Sequence, residues 1–124
     1  MKKILIVEDS TDIREILQTC LQLFHYDIAA LKDGSQIFER LYAYEPHLIL
    51  MDIRLGQYNG LEICRAVKSS TKFSHIPIIL MSGNEVSKEQ LDQSLADYFL
   101  AKPFDIDTLQ GQLLYYLHNG KVPQ

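Results

Sequence analysis

The stretch His47-Leu48-Ile49-Leu50-Met51-Asp52 decides how the rest of the chain is read. Four consecutive apolar residues ended by a carboxylate describe a strand buried on both faces, because a strand with one wet face would alternate. A buried strand tolerates no charge in its middle, so Asp52 belongs where the strand emerges from the sheet. In open α/β sheets the carboxyl ends of the strands are where ligands bind.

Working outward, four further runs share the pattern. Ile4-Leu5-Ile6-Val7 ends in Glu8-Asp9, and Tyr26 to Leu31 is a short strand turned by Asp33-Gly34. Ile76-Pro77-Ile78-Ile79-Leu80-Met81 ends in Ser82-Gly83-Asn84, with its proline near the start, where a missing N–H is tolerated. Tyr98-Phe99-Leu100-Ala101 ends in Lys102-Pro103-Phe104.

Helical spacing fills the intervals. Ser10 or Thr11 caps a first helix with Ile13, Ile16, Leu17, Cys20, Leu21 and Phe24 on one face. A second carries Ile37, Phe38 and Leu41 inward and stops before Pro46. After a loop rich in turn residues, Arg54 to Gly60, the positions Leu61, Ile63, Cys64 and Val67 mark a third. Ser87 with Gln90 forms a capping box for a short fourth helix carrying Leu91 and Leu95. Asp105 caps the last, with Ile106, Leu109, Leu113 and Leu117 on one face.

Five strands alternating with five helices specify an α/β fold, a doubly wound, flavodoxin-like parallel sheet flanked by five helices with right-handed crossovers. The simplest strand order is 2-1-3-4-5, which makes the first and third strands neighbours at the switch point. Glu8, Asp9 and Asp52, remote in sequence, then converge at one end of the sheet.

Bulk properties agree. A chain of 124 residues with 47% hydrophobic and 23% charged residues is one globular domain. A net charge of −4 without a Lys/Arg cluster argues against a nucleic-acid surface. Cys20 and Cys64 lack metal or redox spacing and read as core thiols in a reducing compartment. Met1-Lys2-Lys3 runs straight into a strand, without a signal-peptide core, and no apolar run reaches membrane-spanning length, so the expected location is cytoplasmic.

Three crowded carboxylates repel unless protonated or holding a cation. Oxygen-only ligands without nearby His or Cys favour a hard ion, with Mg²⁺ ahead of zinc or copper. At the same end of the sheet, Ser82 supplies a hydroxyl and Lys102 an ammonium. Metal, hydroxyl and fixed cation around a carboxylate suit phosphoryl transfer, where catalysis is mostly positioning and charge neutralisation. Asp52, central among them, is the acceptor candidate for an aspartyl-phosphate. Any one of these residues alone reads as a loop start or helix cap; the set at four strand ends does not. His25, His47, His75 and His118 sit at element ends without ligand spacing and read as surface or capping residues. Tyr115-Tyr116 reads as helix packing, and Asp12, Arg14 and Glu15 as a solvated first turn.

With Glu8-Asp9, Asp52, Ser82 and Lys102-Pro103-Phe104 in place, the chain resembles the receiver domain of two-component response regulators, in the manner of a single-domain chemotaxis regulator. The likeness rests on order and spacing: 43 residues from Asp9 to Asp52, 30 to Ser82 and 20 to Lys102. It implies a receiver domain over residues 1–120 with a short tail at 121–124. It implies that Asp52 takes a phosphoryl group from a phosphohistidine on a sensor histidine kinase or histidine phosphotransfer protein. Mg²⁺ would be held by Glu8, Asp9, Asp52 and the backbone carbonyl of Arg54. Ser82 matches the switch hydroxyl, Lys102 the lysine that pairs with a phosphoryl oxygen, and Phe99 the aromatic switch position. The implied output is a protein-interaction surface around the fourth helix, fifth strand and fifth helix, read by a downstream protein target. No direct nucleic-acid or membrane contact is expected, and the protein would be a monomer or a phosphorylation-dependent dimer.

The chain departs from the family pattern in several places: Phe99 stands where the switch aromatic is often Tyr, and the segment from Ser82 to Lys102 is a little shorter than in many members. Gly56 stands where relatives usually carry Pro, and Leu95-Ala96-Asp97 replaces the usual Gly-Ala before the fifth strand. Competing functions on the same fold are a Mg²⁺-dependent phosphohydrolase and a receiver-like scaffold that is never phosphorylated. The hydrolase lacks the Asp-x-Asp pair, since Asp52-Ile53-Arg54 stands there, and the complete residue set argues against the scaffold. A nucleotide or flavin binder would need a Gly-rich phosphate loop after the first strand, where Glu8-Asp9 would instead repel phosphate.

Overall fold

The apolar runs pair as their patterning requires. In a computed structural model, whose residues 1–118 are described, the chain runs β1 (Lys3–Val7), α1 (Thr11–Leu23), β2 (Asp27–Leu31), α2 (Ile37–Tyr44) and β3 (Leu48–Asp52). It continues through β4 (Arg54–Leu55), β5 (Tyr58–Asn59), α3 (Gly60–Lys68), β6 (Ile78–Ser82), α4 (Lys88–Ser94), β7 (Tyr98–Ala101) and α5 (Ile106–Leu117). Five strands form one parallel sheet in the order β2-β1-β3-β6-β7, which is the expected 2-1-3-4-5 order counted over the sheet strands alone. The expected tail at 121–124, and the last two residues of the expected domain, lie outside the described residues.

Because successive strand residues point to opposite faces, the sheet builds two cores. Ile4, Ile6, Leu48, Leu50, Ile79 and Met81 pack against Leu17 and Leu21 of α1 and Leu109 and Leu113 of α5. Leu5, Val7, Ile49, Met51, Ile78 and Leu80 pack against Ile37 and Leu41 of α2 and Cys64 and Val67 of α3. Every residue of β3 and β6 is buried, as unbroken apolar runs require. Cys20 is half-buried and both cysteines are free thiols. No helix among the described residues is long and apolar enough to cross a membrane.

Several local expectations are corrected. The segment after Asp52, read as a loop, contains a two-stranded hairpin, β4 paired with β5. Gly56 begins its two-residue turn at φ 65, as a II′-type turn demands and as a proline could not adopt. Ile16 is 61% exposed, because the Leu17–Leu21 stripe faces the sheet and a neighbouring helical position points about 100° away. Phe38 is displaced from the core by the same rotation beside Ile37, and packs on Phe73 at a centroid separation of 6.2 Å. Leu95 does not pack inward from α4; it is the left-handed C-cap, at φ 66, and is exposed. Ser94 takes the buried place, its hydroxyl donating to the Leu91 carbonyl at 2.6 Å. The expected capping box forms, with Ser87 Oγ accepting from Gln90 N–H at 3.0 Å.

Candidate functional site

Register alone brings the polar strand ends together. Val7 pairs with Met51, Asp52 with Met81, and Ser82 with Ala101, so Glu8, Asp52, Ser82 and Lys102 stand in step at the carboxyl end of the sheet. Backbone bonds extend the ladder past each strand: Glu8 N–H donates to Leu31 O at 3.0 Å, and Ile53 N–H to Met81 O at 2.9 Å. Lys102 N–H donates to Ser82 O at 2.8 Å.

The side chains then close around one point. Lys102 Nζ donates to Glu8 Oε1 at 2.6 Å and to Asp52 Oδ2 at 2.7 Å, while Asp52 Oδ1 accepts from Arg54 N–H at 3.1 Å. Glu8, Asp9 and Asp52 each offer a carboxylate oxygen within 4.8 Å of the others. Glu8 is wholly buried, and its Oε2 accepts no hydrogen bond among the described residues. Asp9, by contrast, is exposed. An uncommitted buried carboxylate oxygen beside a second acid, with no His or Cys in the set, fits a hard divalent cation.

The electrostatics separate the two buried acids. Burial and a hydrogen bond shared with Asp52 push Glu8 up to about 7 from 4.5, against the pull of Lys102. Burial also opposes the charge on Asp52, but hydrogen bonds from Glu8, Lys102 and the Arg54 N–H outweigh it and hold Asp52 below the ordinary carboxylate value. Burial acts to discharge Lys102 as well, and its bonds to Asp52 and Glu8 more than offset that, raising its pKa. Burial thus favours the neutral form of Glu8, while Lys102 and the Arg54 N–H favour the charged form of Asp52 and the two acids keep Lys102 an ammonium.

Ser82 is buried, and its Oγ accepts from Asn84 N–H at 3.0 Å. Phe99 is half-buried on β7, paired with Leu80 in register, and borders a groove with Ser82, Val86 and Gln90. Arg54 is exposed, and its N–H reaches the cluster.

Two residues at the site had no signature in the residue pattern. Arg14, read as solvated, is half-buried and donates from Nη1 to the Glu8 carbonyl at 2.7 Å. Gly60, read as part of a turn, is the first residue of α3, and its N–H donates to Ile53 O at 2.7 Å. A Cβ there would lie 2.3 Å from the Asp52 carbonyl oxygen and 2.8 Å from Ile53 Cα. Glycine thus lets α3 start against the peptide group of Asp52 itself.

The histidines stay away from this end. His25, His47 and His118 line a cavity at the opposite end of the sheet with Met1 and Lys2, and His47 Nδ1 accepts from Lys3 N–H at 3.0 Å. Tyr115 and Tyr116 pack edge to face at 4.8 Å, and the Tyr116 hydroxyl donates to Asp97 O at 2.8 Å.

Residues 4–114 match the family model described as the response regulator receiver domain. The chain belongs to that family. Among relatives, the transcriptional regulatory protein YxdJ of Bacillus subtilis is 32% identical over 118 residues, covering 91% of this chain and 49% of its own length. The receiver thus spans about half the length of the curated relatives it matches. Its fold is shared with the chemotaxis response regulator CheY4 of Vibrio cholerae, at a TM-score of 0.84 and 27% identity, covering 94% of this chain and 98% of that one. The response regulator TrrA of Thermotoga maritima, solved in complex with Mg²⁺-BeF, gives a TM-score of 0.84 at 28% identity, covering 94% of this chain and 99% of that one. It is a receiver of two-component signalling.

Proposed function

We propose that Asp52 is the phosphoacceptor of this receiver and that the donor is a phosphohistidine of a sensor histidine kinase or a histidine phosphotransfer protein. The observation that carries the reading is the setting of Asp52: its Oδ2 accepts from Lys102 Nζ at 2.7 Å and its Oδ1 from Arg54 N–H at 3.1 Å, which hold it ionised beside two further acids. A carboxylate must be ionised to attack phosphorus, and Asp52 is the one kept so.

In the reaction, one Asp52 carboxylate oxygen forms the new O–P bond as the donor's N–P bond breaks, and the departing imidazole nitrogen keeps the electron pair. Lys102, already on Asp52 Oδ2, is placed to follow charge onto a phosphoryl oxygen. Ser82, whose Oγ accepts from Asn84 N–H, turns its hydroxyl to donate a hydrogen bond to another phosphoryl oxygen. Phe99, beside Ser82 at the groove, moves with it and changes the surface of α4, β7 and α5. Glu8, Asp9, Asp52 and the Arg54 carbonyl would hold Mg²⁺, which when bound neutralises charge on the transferring group.

The receiver is a signalling phosphoacceptor rather than a turnover enzyme. It occupies residues 1–120, works in the cytoplasm without touching nucleic acid itself, and acts as a monomer or a phosphorylation-dependent dimer on a downstream protein. Relatives such as YxdJ carry the description of transcriptional regulators, so in a longer protein that target would be a DNA-binding partner. The test is incubation with acetyl phosphate or beryllofluoride and Mg²⁺, comparing wild type with Asp52→Asn by intact mass and ¹⁹F resonance. Modification of wild type alone is expected. A label that persists on Asp52→Asn overturns the assignment, and continuous phosphomonoester turnover would favour the hydrolase.

A further inference from the structure

Arg14 reaches back from the first turn of α1 to the end of β1. Its Nη1 donates to the Glu8 carbonyl at 2.7 Å, and its Nη2 to Thr11 Oγ1 at 3.4 Å. The Glu8 N–H is already committed to Leu31 O at 3.0 Å. Both polar groups of the Glu8 main chain are therefore fixed. The Glu8 carbonyl and the Asp9 N–H lie in one rigid peptide plane, so the guanidinium sets the plane from which Asp9 departs.

Asp9 needs that support more than its neighbours do. Glu8 and Asp52 are tied to each other through Lys102, whereas Asp9 is exposed and its carboxylate accepts no hydrogen bond among the described residues. We propose that Arg14 is a positioning residue for divalent-cation binding, holding the Glu8–Asp9 peptide so that the Asp9 carboxylate stays in the acid cluster. This role rests on the cluster being the cation site.

Charge and geometry act in opposite directions here, which makes the proposal decidable. A guanidinium near three acids opposes an incoming cation by repulsion, but on a half-exposed side chain that effect is screened by water and salt. A charge-assisted hydrogen bond to a backbone carbonyl is directional and is not lost to screening in the same way. Removing an outer partner of a metal-ligating group lowers metal affinity roughly 10–100-fold. Acting through one carbonyl, Arg14 belongs at the low end, about tenfold.

The experiment is calorimetric titration of Mg²⁺ into wild type, Arg14→Met and Arg14→Lys, each first shown to be folded by its metal-free melting curve. Arg14→Met is expected to weaken Mg²⁺ binding about tenfold at both low and high salt, with partial recovery in Arg14→Lys. The Asp9 amide resonance should also move in the metal-free Arg14→Met protein. If Arg14→Met does not fold, Arg14→Lys is read by the same two measurements. Equal or tighter Mg²⁺ binding by the variant overturns the role of Arg14 alone. A wild type that takes up no Mg²⁺ sinks the cation site itself, and the role with it.

Discussion

Replacing Gly60 by Ala should damage the fold at the site from beneath. The added methyl would stand 2.3 Å from the Asp52 carbonyl oxygen, 2.8 Å from Ile53 Cα and 3.1 Å from the Asp52 carbonyl carbon. All three are backbone atoms, so no side chain can swing aside; either α3 retreats or the Asp52–Ile53 peptide moves. Retreat breaks the 2.7 Å bond from Gly60 N–H to Ile53 O and disturbs the Asn59 cap, whose Oδ1 accepts from Leu61 N–H at 2.8 Å. Overpacking costs about 1–3 kcal/mol, and rigid partners place this case near the top of that range. For a domain of this size that is a fall of roughly 6–15 °C in melting temperature. Gly111→Ala is the control, because its Cβ meets nothing within 4 Å. Inside α5 it should stabilise by about 0.5–1 kcal/mol. Thermal melts followed by circular dichroism, with the rate of acetyl phosphate uptake, read both consequences. A Gly60→Ala protein that melts with wild type would refute the reasoning, since it would mean that the start of α3 is free to shift.

Two other perturbations test the electrostatics and the backbone. Glu8 titrates at about 7 in the fold against 4.5 ordinarily, so the native state holds a proton that the unfolded chain has lost in that interval. That stabilisation is full below pH 4.5 and disappears as pH rises through 7, a decline of at most roughly 3 kcal/mol for the metal-free protein. Melting temperature should accordingly drop between pH 5.5 and 8, and Glu8→Gln should flatten the profile; a wild-type profile that rises there would show Glu8 to be ionised. At the end of α4, Leu95 holds φ 66, where a side chain costs about 1–2 kcal/mol. Leu95→Gly should therefore raise the melting temperature by a few degrees after the larger unfolded-state entropy of glycine is subtracted, and a lower value would mean that the exposed side chain contributes packing.

What the residue pattern could reveal depended on whether the physics was local. Asp52, Glu8, Ser82 and Lys102 stood out because a polar group ending an apolar run must lie at a strand end, and parallel pairing carries strand ends to one place. Arg14 and Gly60 left no such mark. The first acts by bending back to a carbonyl, and the second by the absence of a side chain where α3 meets β3. Neither contact has a period. Ile16 and Phe38 were misplaced for a related reason: an apolar residue one position off the buried stripe looks the same in sequence as one on it. The hairpin after Asp52 was hidden by its length, two residues per strand being too few to show alternation. Gly56 was its one visible sign, and the positive φ it supplies explains the missing proline.

The ends of α4 differ in how they are tied. Among the described residues, the hydrogen bonds at its N-terminus are those of its own capping box, and it follows the stretch from Gly83 to Val86 that leads away from Ser82, with Val86 packed on the core. Its C-terminus is fastened to α3, since Arg65 Nη1 donates to Gln93 O at 2.6 Å, and just beyond it Lys68 bridges Asp97 at 2.9 Å. A helix tied in this way would move as a flap hinged at its far end. A pull exerted at Ser82 would lift the near end most and fade toward Leu95, so that a partner gripping the first turn of α4 would sense the event at Asp52 far more than one resting on its last.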